Sequence, residues 1–162
     1  MTGTSDCGPN RIDRRKFLKA SGGTVAGIGA ISIGSGTVAA HFPAELDIDI
    51  KPGCDKNPVN PSSRGVIPVA VHQTEDFDPT TEGVRYRFGA PDTVEDGGGA
   101  RPSHDGHRED VNGDGTTDLV LHFPVEETGF DSEDSEGKLL WERDEAGEHG
   151  LSGSDEVTIV GP

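Results

Sequence analysis

Between positions 110 and 118 the chain reads Asp110-Val111-Asn112-Gly113-Asp114-Gly115-Thr116-Thr117-Asp118, the spacing D-x-N-x-D-G-x-x-D. Side-chain oxygens at the first, third and fifth positions converge on one cation when the backbone curls tightly, and a glycine at the sixth position permits the positive φ of that curl. Thr116 would add its backbone carbonyl, and Asp118 a further carboxylate, directly or through water. Every donor is a hard oxygen, which points to calcium. A helix-loop-helix calcium site would place a bidentate Glu at the twelfth position. Here that position is Leu121 and a strand-like run follows, so Glu109 or a more distant acid is left to complete the shell. Three carboxylates at an exposed turn imply a weak site, with Kd on the order of 10⁻⁴ to 10⁻³ M. In a chain this rich in Asp and Gly the spacing arises by chance on the order of once in a few hundred chains, so the pattern stands above its background.

A second group is His104-Asp105-Gly106-His107, with His122 beyond the loop. The three imidazoles, with Asp105 or Glu109, would suit a small metal-dependent hydrolase. H-x-x-H outside a helix gives no geometric reason for the rings to converge, and the plainer expectation is that they bond the loop backbone or face water. Cys54 has no His-Asn arrangement around it and reads as a small thiol without a catalytic role.

These side chains need a scaffold, and period-two patterning supplies one. Leu46, Ile48 and Ile50 alternate with Asp47, Asp49 and Lys51; Val84, Tyr86 and Phe88 alternate with Arg85 and Arg87. Val66 to Val71 and Leu119 to Phe123 are apolar on both faces, as central strands are, although Pro68 lacks a ladder donor and argues for an edge or bulge there. Leu139 to Trp141 and Val157 to Val160 extend the set. No sustained 3.6-residue period appears, so helices should be short or absent. The expectation is a small all-β domain of about six to eight short strands, a β-sandwich (Ig-like or similar) rather than a barrel. Asp92 to Gly106 and Phe130 to Gly137, rich in Gly, Asp, Glu and Ser, read as solvated loops.

The charge balance excludes some partners. The chain has 14 basic and 30 acidic residues, and residues 1 to 40 hold 5 and 2 of them, which leaves 9 minus 28, or −19, for residues 41 to 162. Phosphate binding needs a basic footprint, so nucleic acid is not an expected partner. With strands this well patterned, the acid excess fits a halophilic protein, soluble in concentrated salt where repulsion is screened, better than it fits disorder.

Asp13-Arg14-Arg15-Lys16-Phe17-Leu18-Lys19 resembles the twin-arginine export motif, with Asp13 in place of the usual Ser or Thr. Ala20 to Ala40 carries no charge, but six Gly, three Ser and two Thr make it too weakly apolar for a membrane span. Val38-Ala39-Ala40 offers the small residues of a cleavage site. Residues 1 to 40 are therefore expected to be a removable signal segment led by Arg14 and Arg15, and residues 41 to 162 an extracellular or cell-surface domain with no transmembrane anchor. Removal of Cys7 with that segment would leave Cys54 without an intramolecular partner.

Asp47-Ile48-Asp49-Ile50-Lys51-Pro52-Gly53, Asn60-Pro61 with Ser63 to Val71, and Glu109 to Phe123 together resemble a domain that recurs in secreted bacterial and archaeal proteins and has no established activity. The likeness spans most of residues 45 to 128 and again Gly150 to Val160. It implies export, a β domain and the calcium loop, and it supplies no catalytic residue. Similar sequences usually carry a small residue such as Ser where this one has Cys54. The expectation is a non-enzymatic, calcium-stabilised module that is structural or adhesive and holds an unidentified protein or polysaccharide. With one Trp and one Tyr, a broad aromatic sugar platform is not expected.

Overall fold

Alternation at Ile48-Asp49-Ile50 gives β1 (Ile48–Ile50), whose two isoleucines are buried while Asp49 is half-buried. The computed structural model of the chain describes residues 45–81, 85–142 and 150–161. The expected signal segment, residues 1 to 40 with Arg14 and Arg15, lies outside these residues, as does Val84. Nine strands form among the described residues: after β1 come β2 (Pro58–Val59), β3 (Val66–Val71), β4 (Arg85–Gly89), β5 (His107–Glu109), β6 (Asp118–Pro124), β7 (Glu136–Glu142), β8 (Leu151–Glu156) and β9 (Thr158–Ile159). Among the described residues helix is confined to α1 (Pro91–Glu95) and one 3₁₀ turn, Val125–Glu127.

The strands make a four-stranded antiparallel sheet in the order β1-β3-β6-β5 and a three-stranded antiparallel sheet in the order β4-β7-β8. A two-stranded parallel ribbon pairs β2 with β9. The two larger sheets share one core. Ile50, Val69, Val71, Leu121 and Phe123 come from the first, and Tyr86, Phe88, Leu139 and Trp141 from the second. Phe88 meets Phe123 across the layers at a ring-centroid distance of 5.2 Å. Burying each of these large side chains contributes about 1.5 to 3 kcal/mol, so this layer is the main source of cohesion.

Pro68 sits inside a paired strand, opposite His122, and not at an edge. Its carbonyl accepts from Lys51 N at 2.8 Å, so both backbone polar groups of residue 68 face β1. β1 ends at Ile50, and the missing N–H therefore falls where the ladder has already stopped. Arg87, placed by alternation on a solvated face, is buried, because α1 and the chain that follows it cover that side of β4. Two segments read as solvated loops are also partly interior. Ala100 is fully buried and bridges to Phe88, while Phe130 packs on Phe88 at 5.8 Å. Gly137 lies within β7.

Candidate metal centre

The loop 110–117 joins β5 to β6, and the facing pair Glu109 and Asp118 closes the hairpin beneath it. Gly106 sets the approach to β5: its φ is +77°, and a Cβ there would meet the Val120 carbonyl oxygen at 2.5 Å. Within the loop the short side chains bond forward to the backbone, as Asp and Asn do in tight turns. Gly113 N donates to Asp110 Oδ1 at 2.7 Å and Gly115 N to Asp110 Oδ2 at 3.0 Å. Asp114 N donates to Asn112 Oδ1 at 2.9 Å, Thr116 N to Asp114 Oδ1 at 2.7 Å, and Asn112 Nδ2 to Asp114 Oδ2 at 2.9 Å. Gly115 has φ +89° with open space where a Cβ would be, so conformation and not crowding requires the glycine.

Asp114 is held below the usual carboxylate range, first by the Thr116 hydroxyl, then by the Thr116 N–H and the Asn112 amide. The shift favours the anion, the form in which a carboxylate ligates a cation. Both Asp110 oxygens, Asn112 Oδ1 and Asp114 Oδ2 each accept one hydrogen bond and keep a second lone pair, whereas Asp114 Oδ1 accepts from both the N–H and the hydroxyl of Thr116. The donor set of carboxylate, amide, hydroxyl and carbonyl suits a hard cation such as calcium.

The structure gathers Asp110, Asn112, Asp114 and Thr116 into this ring and places Asp118 under it. Asp118 is fully buried; its Oδ1 accepts from Gln73 N at 3.0 Å and its Oδ2 from Val111 N at 3.1 Å, with His72 Nδ1 at 3.4 Å. The carboxylate thus ties the loop to the chain leaving β3. Among the described residues no three Asp, Glu, His or Cys side chains are grouped closely enough to hold a metal by themselves. A cation here would rest on Asp110 and Asp114 with the Asn112 amide and the Thr116 carbonyl.

The three histidines do meet, with His104 and His107 each tilted against His122. His122 lies 5.0 Å from His104 and 5.4 Å from His107 between ring centroids, at interplanar angles of 38° and 31°. A shared zinc needs ring nitrogens aimed at one point, and among the described residues these rings form part of no group of three metal-ligating side chains. His104 Nδ1 accepts from Gly106 N at 3.0 Å, and His107 Nε2 lies 3.3 Å from Glu109 Oε2. His122 is pushed below its ordinary value by burial, and then by the charges of His104 and His107; its Nδ1 is buried without a hydrogen-bond partner. Nothing in this arrangement favours the hydrolase.

Cys54 is disulfide-bonded in the full chain; the expectation that it lacks an intramolecular partner concerns the chain after removal of residues 1 to 40, which lie outside the described residues. Cys54 lines a pocket of about 220 Å³ with Asp47, Asp49, Asp55, Asn57 and Asp155. Asp155 Oδ2 there accepts from Ile50 N at 2.9 Å and Asn57 Nδ2 at 3.1 Å, which binds β8 to the turn after β1.

Two charged features escaped the sequence patterns. Glu142 is buried between Arg87 Nη2, in a very short contact with its Oε1, and Arg101 Nη1, 3.1 Å from its Oε2. Arg87 Nη1 also donates to the Gly98 carbonyl at 2.9 Å. Beside this bridge opens a cleft of about 1060 Å³, with Leu119 and Leu121 on one side, Tyr86 on another, and Arg85, Arg101 and Arg108 around it. One signal was present in the sequence: four of the nine basic residues beyond position 40 fall between Arg85 and Arg108. Comparison with protein-family models, curated proteins and solved structures finds no match.

Proposed function

We propose that this chain is an exported, non-enzymatic β module in which the β5–β6 loop takes calcium as a structural ion, and that the module holds a ligand at the cell surface. The observation that carries the reading is the ring of Asp110, Asn112, Asp114 and Thr116 standing on the buried Asp118. Because that carboxylate ties the loop to Gln73, an ion in the ring would stabilise the sheet and not only the turn. Export is supported by the Arg14-Arg15 motif, and among the described residues no helix is long and apolar enough to cross a membrane. Replacing both arginines with lysine should abolish secretion of the chain; undiminished secretion would remove the export reading.

Thermal unfolding in high salt tests the ion. Ten- to a hundredfold excess of calcium over Kd should add about 1.4 to 2.7 kcal/mol, a rise in Tm of several degrees. Chelator should reverse it, magnesium should not reproduce it, and an Asp110→Ala, Asp114→Ala double variant should lack it. An unchanged Tm, or the same rise in the double variant, overturns the calcium reading.

A further inference from the structure

We infer that the cleft between β4 and the β5–β6 hairpin binds an acidic saccharide, a sugar chain carrying carboxylates, through Arg108, Arg101 and Arg85. The inference deepens the ligand-holding part of the proposed function. It does not depend on calcium, because none of the ring residues lines the cleft.

Charge distribution comes first. The described residues contain eight Lys and Arg (51, 56, 64, 85, 87, 101, 108 and 138), and three of them line this one cleft, where Asp105 is the one acidic residue among the described lining residues, with Asp78 close to Arg108 and Glu142 paired to Arg101. A chain with 30 acidic side chains has concentrated its scarce positive charge around a concavity. Two of the guanidiniums remain available. Arg108 is exposed and gives one N–H to the Thr80 carbonyl at 2.9 Å, which leaves most of its fork open. Arg101 is half exposed and shares Glu142 with Arg87, so two guanidiniums face one carboxylate and a positive charge is left over. Arginine forks match carboxylates in bidentate geometry, and those contacts act at hydrogen-bond range. In molar salt the Debye length falls to about 3 Å, so repulsion from distant acidic residues is screened while such contacts persist.

The walls argue for a sugar. Leu119, half-buried, offers apolar surface to the C–H face of a pyranose ring over a floor made by the buried Leu121, Tyr86 and Pro79, and Thr80 and Ser103 add hydroxyls at the margin. An extended acidic peptide would instead need a sheet edge to pair with, and β5, the edge strand here, has only three residues. The volume lies slightly above that of ordinary small-ligand sites, about 300 to 1,000 Å³, enough for more than one ring.

The test is calorimetric titration of the whole chain in high salt with trigalacturonate, a neutral trisaccharide of similar size, oligoglutamate and sodium sulfate. The fluorescence of Trp141, the single Trp and the cross-strand partner of Tyr86, is a second readout. Trigalacturonate should bind and the neutral sugar should not. Arg108→Gln should weaken binding about tenfold with Tm unchanged, and Arg108→Lys should fall between, since it keeps charge but loses the fork. Arg85→Gln should weaken it as well. Equal affinity for sulfate would make the cleft a simple anion site, and tighter binding of oligoglutamate would make it a peptide site. Either result, or binding that ignores Arg108, overturns the saccharide assignment. A calcium-independent Tm with intact uronate binding would sink the ion reading alone.

Discussion

The hairpin tip and the bridge beneath the cleft are both built from charged side chains, yet they are opposite solutions. At the tip, residues 110 to 116 are mostly exposed, and partners sit two to five positions apart. In the bridge, Arg87 and Glu142 are 92% or more buried and stand 55 positions apart. Water does most of the solvation at the tip, so its geometry costs little and an arriving cation can compete for the oxygens. The bridge has no water to fall back on, and its value lies in the cost of breaking it. Exposed charge at the tip is solvated, and buried charge in the bridge fixes architecture.

The largest effect should therefore come from Glu142→Ala, which strands Arg87 among β4, β7 and the 98 carbonyl. A loss of about 3 to 5 kcal/mol by denaturant unfolding is expected. A loss below about 1 kcal/mol would mean that water reaches Arg87 and would erase the contrast. Asp118→Ala comes next, at about 2 to 4 kcal/mol, because the N–H groups of Gln73 and Val111 lose a buried anionic acceptor. It should also blunt any calcium-dependent rise, since the loop would no longer be tied to β3. Asp110→Ala without calcium should cost less than about 1 kcal/mol, as exposed turn contacts do. The smallest effect is the pH response of His122. Its folded-state value is depressed below the ordinary 6.5, so the unfolded chain takes the proton first. Its contribution is thus complete above about pH 6.5 and is lost as the pH falls through the depressed folded value. A His122→Gln variant should show a slightly flatter fall in Tm between pH 7 and pH 5; a steeper one would contradict the depressed value.

The same contrast separates what was legible from what was not. The tip could be read because its chemistry is local: Asp110, Asn112, Asp114 and Gly115 carry the spacing in the chain itself. β1, β3, β6 and the apolar part of β7 were legible for a like reason, since a buried face imposes period two on neighbouring residues. Leu151-Ser152-Gly153-Ser154-Asp155-Glu156 has the composition of a turn but forms β8. Gly153 is what fits beneath Leu46, whose carbonyl oxygen would lie 2.4 Å from a Cβ, and the register with β7 supplies the order that propensity does not. Arg87 was misplaced because alternation tells which face a residue takes and not what covers that face. The cleft needed both sheets in place, so only the crowding of arginines between 85 and 108 hinted at it.

The parallel ribbon of β2 and β9 has a temporal meaning. Pro58 faces Thr158 and Val59 faces Ile159, so residues a hundred positions apart must meet before the fold can close. Ile50 N and Asp155 Oδ2 impose the same wait. Pairings of such high sequence separation slow folding toward the millisecond-to-second range of all-β domains. Until residues 151 to 159 have been synthesised, the β4-β7 pair lacks β8 and the ribbon lacks β9. Closure of the fold therefore follows synthesis of the strands that seal it.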